Sequence, residues 1–134
     1  MAPRHISLAL GLLIGTVFPL LSSSVATASE SRGAVPVRID VGGYKLNSLL
    51  IEPQKQADLP PIVFLHGASA SLYDPLFSFA DRLNGRAKLL FIDRPGHGAS
   101  DIGGSDNILP DVQADAISEL MKKRGIHKAI IVGH

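Results

Sequence analysis

Three short segments of this 134-residue chain carry residue types that could serve a reaction. His66-Gly67-Ala68 follows the apolar run Ile62-Val63-Phe64-Leu65, and Gly133-His134 follows a second run, Ala129-Ile130-Ile131-Val132. In acyl transfer, negative charge grows on the carbonyl oxygen, and fixed backbone amides beside it stabilise that charge by several kcal/mol. A small, glycine-containing turn at the end of a strand lets such an amide face a site. The third segment, Asp93-Arg94-Pro95-Gly96-His97-Gly98-Ala99-Ser100, is turn chemistry. Its glycines permit a compact path, and Asp93 and Ser100 are short polar groups suited to satisfying loop amides. A structural role is therefore expected for Asp93, Gly96, Gly98 and Ser100, with Arg94 or His97 at a pocket mouth. Ser69 or Ser100, His66 or His97, and Asp93 supply the three residue types of a hydrolytic triad. A triad is defined by geometry and roles, and composition supplies neither, so none is assigned. His66 is expected to brace its loop by hydrogen bonding, His134 to face neighbouring loops, and His127 to lie in solvent. No paired ligand spacing suggests a metal site, and neither Gly42-Gly43 nor Gly103-Gly104 belongs to a phosphate-binding fingerprint. No metal or organic cofactor is expected.

The elements that must position these residues follow from hydrophobic period. Val35 to Val41 alternates apolar and polar as a strand with one buried face does. Gly42-Gly43 supplies a two-residue turn, and Tyr44 to Ile51 reads as the returning strand of an antiparallel hairpin. After a polar loop, Ile62 to Leu65 is apolar at consecutive positions, as suits a strand covered on both faces. Asp74-Pro75 is a helix start, with Leu76, Phe79, Ala80 and Leu83 at helical spacing and Asn84-Gly85 as the stop. Lys88 to Ile92 is the next strand. A second helix is expected from about Ile108 to Arg124, with Leu109, Val112, Ala116, Ile117 and Leu120 as its apolar stripe. Acidic Asp111, Asp115 and Glu119 precede the basic Lys122-Lys123-Arg124, and Gly125 follows, as helix polarity and C-capping favour. Lys128 to Val132 is the last strand. This order predicts an α/β fold in which crossover helices make the later strands parallel. Ligands of such a sheet bind beyond the carboxyl ends of its strands, where the loops after Leu65, Ile92 and Val132 lie.

His66-Gly67, the turn from Asp93 to Ser100, and Gly133-His134 occur in that order and on those elements. Over about Val37 to His134 the chain resembles the N-terminal part of the α/β-hydrolase fold family, ending just before the nucleophile. The resemblance implies that the backbone amide of Ala68 is an oxyanion donor with His66 and Gly67 supporting its loop. It further implies that Asp93, Gly96, Gly98 and Ser100 form a structural turn, and that Gly133-His134 begins the nucleophile elbow. Nucleophile, acid and catalytic histidine would then follow His134, leaving the domain incomplete and the chain as given inactive. The implied activity is carboxylic-ester hydrolysis of a small-molecule substrate through a serine. The alternatives are an Asp nucleophile of the epoxide hydrolase or dehalogenase type, attacking as a carboxylate, or a non-catalytic truncated remnant.

Residues 1–28 have Arg4-His5 at the start, an apolar stretch from Ile6 to Leu21, and small residues at Ala26 and Ala28. That is a secretory leader pattern, with cleavage expected after Ala28. Gly11, Gly15 and Pro19 interrupt a stretch shorter than the roughly 20 residues that span hydrocarbon, so no stable membrane span is expected once the leader is removed. The expected location is secreted or periplasmic, the alternative an uncleaved N-terminal anchor. Domains are expected at 1–28 (signal peptide), 29–36 (linker) and 37–134 (partial hydrolase domain). The chain has no cysteine, which excludes both lipoprotein-type attachment and a disulfide framework. Arg4 stands alone, which does not support a twin-arginine signal. Of 13 basic and 12 acidic side chains only Arg4 lies in the leader, so the remaining 106 residues hold 12 of each sign. A neutral chain without a basic stripe gives no basis for nucleic-acid binding.

Overall fold

The computed structural model describes residues 34–134, so the expected leader and residues 29–33 of the expected linker lie outside the described residues. Five strands form one mixed sheet: β1 (Val37–Asp40), β2 (Lys45–Ile51), β3 (Ile62–Leu65), β4 (Leu89–Ile92) and β5 (Ile130–Gly133), in the spatial order β1-β2-β4-β3-β5. β1 and β2 are antiparallel, with Asp40 opposite Lys45. Gly42 and Gly43 turn the hairpin at φ of 119° and 99°, and their amides donate to Asp40 Oδ1. β2 runs antiparallel to β4, while β3 is parallel to both β4 and β5.

Consecutive apolar residues in β3 and β4 point alternately to opposite faces, and each face has its own helix. Phe64, Phe91, Leu49 and Leu89 pack with Leu72, Leu76 and Ala80 of the segment carrying α1 (Tyr73–Leu83). Val63, Leu90, Ile92 and Leu46 pack with Ala116, Ile117 and Leu120 of α2 (Pro110–Lys123). The chain therefore leaves the carboxyl ends of neighbouring strands β3 and β4 towards opposite faces. A crevice opens at such a point because the two connections diverge from it.

Both helices start differently from the sequence expectation. Asp74 does not cap α1 from its first position; the helix begins at Tyr73, and Asp74 Oδ2 reaches back to the amide of Ser71 at 2.9 Å. Ser71 Oγ accepts from the Tyr73 amide at 3.3 Å, so the two side chains cap reciprocally. α2 begins at Pro110 rather than about Ile108, behind a separate 3₁₀ turn, Ser105–Ile108. A residue before proline is pushed out of the helical region, and Leu109 is extended at φ −78°, ψ 134°. Leu109 is consequently exposed and drops out of the buried stripe. The strands are also shorter than read: β1 starts at Val37, β4 at Leu89, and β5 spans Ile130–Gly133.

Candidate active site at the carboxyl edge of the sheet

β3 delivers His66 to the edge of the sheet, where the residue is only 3% exposed. Nε2 accepts the Arg94 amide at 3.1 Å, so that nitrogen carries no proton. Nδ1 must then be the protonated nitrogen, and it donates to the Gly67 carbonyl at 2.8 Å. One neutral imidazole thus ties the loop after β3 to the loop after β4. Burial pushes the His66 pKa below its ordinary value, against the opposing effect of the Gly67 carbonyl, and the Arg94 and His97 charges add to the lowering. The His97 ring stands 5.1 Å from that of His66 and bonds the Pro95 carbonyl through Nδ1 at 3.0 Å.

Gly67 occupies a place where a side chain would not fit unaided. A Cβ there would lie 3.1 Å from the carbonyl oxygen of His134 and 3.2 Å from its Nδ1. The His134 amide donates in turn to Leu65 O at 3.3 Å, so the end of β5 is held against the start of the β3 loop. Ala68 is exposed and lines a cleft of about 520 Å³ with Phe64, Pro75, Phe79 and His134. Its amide donates to no protein group among the described residues. Ser69, next in the chain, holds φ at +59°, a strained value for a residue with a side chain. A second cleft of about 400 Å³ lies on the α2 side and shares His66, Gly133 and His134. A larger, shallower groove of about 740 Å³ between the hairpin and α2 contains none of these residues.

The turn from Asp93 to Ser100 is built around one buried carboxylate. Asp93 Oδ1 accepts the Leu72 amide at 2.7 Å, and Oδ2 accepts Asn47 Nδ2 at 2.9 Å and the Ala99 amide at 3.0 Å. Ser100 Oγ donates to the Asp93 carbonyl at 2.7 Å and accepts the Asn47 amide at 2.8 Å. Gly98 turns beneath them at φ +53°. A Cβ at Gly98 would fall 2.2 Å from Asp93 Oδ2, so glycine is required by contact as well as by conformation. Neither the Ser69 nor the Ser100 hydroxyl bonds a histidine ring, and Asp93 bonds no imidazole; the Ser, His and Asp of these loops do not form a triad. Arg94 runs the other way, its Nη2 donating to Gly67 O at 3.2 Å and its Nη1 to Gln113 Oε1 at 3.5 Å.

Sequence reasoning passed over Asn47 and the contact of Arg94 with Gly67; of the two residues expected at a pocket mouth, Arg94 lines the cleft on the α2 side and His97 lines none of the three clefts. A short amide side chain inside the apolar strand Leu46 to Ile51 is the one signal for Asn47, since asparagine is disfavoured in strands unless it has a partner. Nothing in the spacing of Arg94 foretells that it reaches back to Gly67. Among the described residues no cluster of His, Cys, Asp or Glu could hold a metal ion, and no helix is long and apolar enough to cross a membrane.

The geometry has counterparts. The profile of the Alpha/beta hydrolase family matches residues 62–134. No curated protein matches the chain. Among solved structures, an epoxide hydrolase from an endophytic Streptomyces is 22% identical with a TM-score of 0.64, over 77% of this chain and 30% of that one. The proline iminopeptidase-related protein from Thermus thermophilus is 19% identical with a TM-score of 0.64, over 75% and 36%. The haloalkane dehalogenase DatA from Agrobacterium tumefaciens is 23% identical with a TM-score of 0.60, over 75% and 32%. The chain spans about a third of the length of these structures.

Proposed function

Because the chain belongs to the alpha/beta hydrolase family, we propose that it supplies the oxyanion half of the active site of an exported hydrolase acting on carboxylic esters. In this reading a serine in residues continuing past His134 gives its proton to a histidine and attacks the ester carbonyl, forming a C–O bond while the carbonyl π electrons move onto oxygen. Collapse of that intermediate expels the alcohol, which takes a proton from a histidine. Water then repeats the sequence on the acyl-enzyme and releases the acid. The negative oxygen is met by the Ala68 amide and by the amide after the serine. Asp93, Gly96, Gly98 and Ser100 hold the neighbouring turn and take no direct part. Cleavage after Ala28 and release to the periplasm or medium belong to the same proposal.

The observation that carries the reading is the Ala68 amide, unpaired among the described residues and lining a cleft bounded by the ends of β3 and β5. An exposed amide with no protein acceptor, on a loop held by the positive φ of Ser69, is free to donate to a group bound in that cleft. A second reading, with an Asp attacking as carboxylate, draws support from the epoxide hydrolase and the haloalkane dehalogenase that share the fold. The same amide would serve it when water hydrolyses the alkyl-enzyme ester.

The complete polypeptide incubated separately with a nitrophenyl ester, a styrene-type epoxide and a bromoalkane separates the readings. A burst of nitrophenol equal to the enzyme concentration supports the serine esterase. Diol or bromide release without ester turnover supports the Asp reading, and no turnover of any substrate leaves the non-catalytic reading. For the esterase, Ala68→Pro, which deletes the N–H, lowers kcat by about 10²-fold while Ala68→Gly does not, the size expected for one oxyanion donor.

A further inference from the structure

The Gly67 carbonyl receives two donors, His66 Nδ1 at 2.8 Å and Arg94 Nη2 at 3.2 Å, and the second has a consequence for the amide of Ala68. The Gly67 carbonyl and the Ala68 amide belong to one planar peptide unit, trans like every peptide bond among the described residues. In a trans unit the C=O and N–H bonds point in opposite directions. Holding the oxygen inward, on the side of Arg94, therefore turns the hydrogen outward to the cleft that Ala68 lines. A positive charge on the carbonyl oxygen also draws electron density from the amide nitrogen, which makes the N–H a stronger donor.

Arg94 is placed for this at a cost. It makes no ion pair among the described residues, and its Nε is buried without an acceptor there. An unsatisfied buried donor is destabilising, and a long, flexible side chain would ordinarily swing to water to avoid it. Its opposite end is steadied by Gln113 of α2. His66, which shares the same carbonyl, is neutral and supplies geometry without charge.

We infer that Arg94 is a positioning residue for the oxyanion site: its guanidinium clamps and polarises the Gly67–Ala68 peptide so that the Ala68 amide faces the developing charge. The inference rests on the ester-hydrolase reading for its catalytic consequence, while the clamp itself is a structural claim. It acts through the peptide and touches no substrate atom.

The test uses the complete polypeptide with Arg94→Met and Arg94→Lys, a nitrophenyl ester, and a boronic acid as tetrahedral probe. Arg94→Met is expected to lower kcat about tenfold, less than loss of an oxyanion donor itself, with KM changed less than twofold. Boronate affinity is expected to fall by the same factor, and Arg94→Lys, which restores a charged donor, to recover most of the loss. In protein labelled with ¹³C-carbonyl glycine and ¹⁵N-alanine, the Gly67–Ala68 signal, assigned by its disappearance in Ala68→Ser, should move in Arg94→Met. The Gly98–Ala99 signal should stay. A kcat within twofold of the parent and an unmoved Gly67–Ala68 signal overturn the inference. So does a loss of kcat that tracks a loss of folded protein and spares boronate affinity, which would make Arg94 a packing residue. If the parent protein turns over no ester yet the signal still moves, the ester reading fails and the clamp stands.

Discussion

The Asp93 carboxylate is buried and makes no ion pair among the described residues, so three neutral donors must do for it what water did in the unfolded chain. Its surroundings tolerate no added atom. Gly98 and Gly125 both adopt left-handed φ, +53° and +68°, but a Cβ meets Asp93 at Gly98 and open space at Gly125. Gly125→Ala is expected to cost about 1 kcal/mol from conformation alone, and Gly98→Ala about 3 kcal/mol, because one or more Asp93 bonds must also give way. Urea unfolding of both variants measures the difference; equal losses would mean that the Asp93 cradle yields freely. His66 gives the second residue-scale expectation. Its folded pKa lies below the ordinary value of about 6.5, so between the two values the unfolded chain binds more protons than the folded one. Stability from this site is complete above that ordinary value and is lost as pH falls through the window beneath it. Asp40, Asp58, Asp74 and Asp101 are also depressed, each chiefly by an accepted hydrogen bond, but their stability is lost only below the ordinary carboxylate value of 3.8. Urea midpoints across pH 7.5 to about 5 should therefore fall for the parent and stay flatter for His66→Gln, which carries no titrating group. The glycine and Asp93 features were legible because turn chemistry is written in residue type. The Arg94 contact was not, since a flexible side chain can reach many partners and only the folded loops select one.

At the scale of elements, legibility followed the strength of the local signal. β3 and β4 are short apolar runs, and their alternation assigns Phe64 and Phe91 to one face and Val63 and Leu90 to the other, as the packing bears out. The helix starts were harder because competing local rules apply there. Leu109 belongs to a helical stripe by spacing, yet the following Pro110 excludes it from the helix, and the second rule wins because it is steric. At α1 the pair Ser71 and Asp74 has the spacing of a reciprocal cap, and the structure uses it in place of a cap by Asp74 alone. Asp74→Ala is accordingly expected to lower stability by about 1 kcal/mol, the usual worth of a helix cap. Because α1 starts six residues beyond Gly67, fraying of its first turn should also loosen the loop that carries Ala68. Amide hydrogen exchange checks this: Tyr73 to Phe77 should exchange faster in Asp74→Ala while β4 remains unchanged. Equal exchange in both proteins would remove the cap from any role in holding the loop.

For the molecule as a whole, the two edges of the sheet are treated differently. β1 is only four residues long and carries the charged Arg38, paired with Asp101, and Asp40, features that discourage strand addition. β5 presents Ile130 and Ile131 at 47% and 51% exposure, and beyond it among the described residues there is no further strand. On the α2 side of β5 the half-buried Met121 lines the same cleft as Ile131, so edge and apolar surface are continuous. An unpaired edge next to exposed isoleucines offers backbone donors and apolar area together, the combination that recruits another strand. A polypeptide of these residues alone is therefore expected to associate through β5. Sedimentation velocity over a concentration series should show the monomer fraction falling as concentration rises. Ile131→Lys should restore the monomer, because a charged side chain on an edge strand resists pairing, whereas Val37→Lys on the opposite edge should leave association unchanged. Equal effects of the two substitutions would mean that association is unspecific and that β5 has no special part in it. In a longer polypeptide that covers β5 the same surface becomes interior, and Ile131→Lys should then cost stability without any gain in monomer. The sign of this one substitution thus reports whether the edge is open or covered.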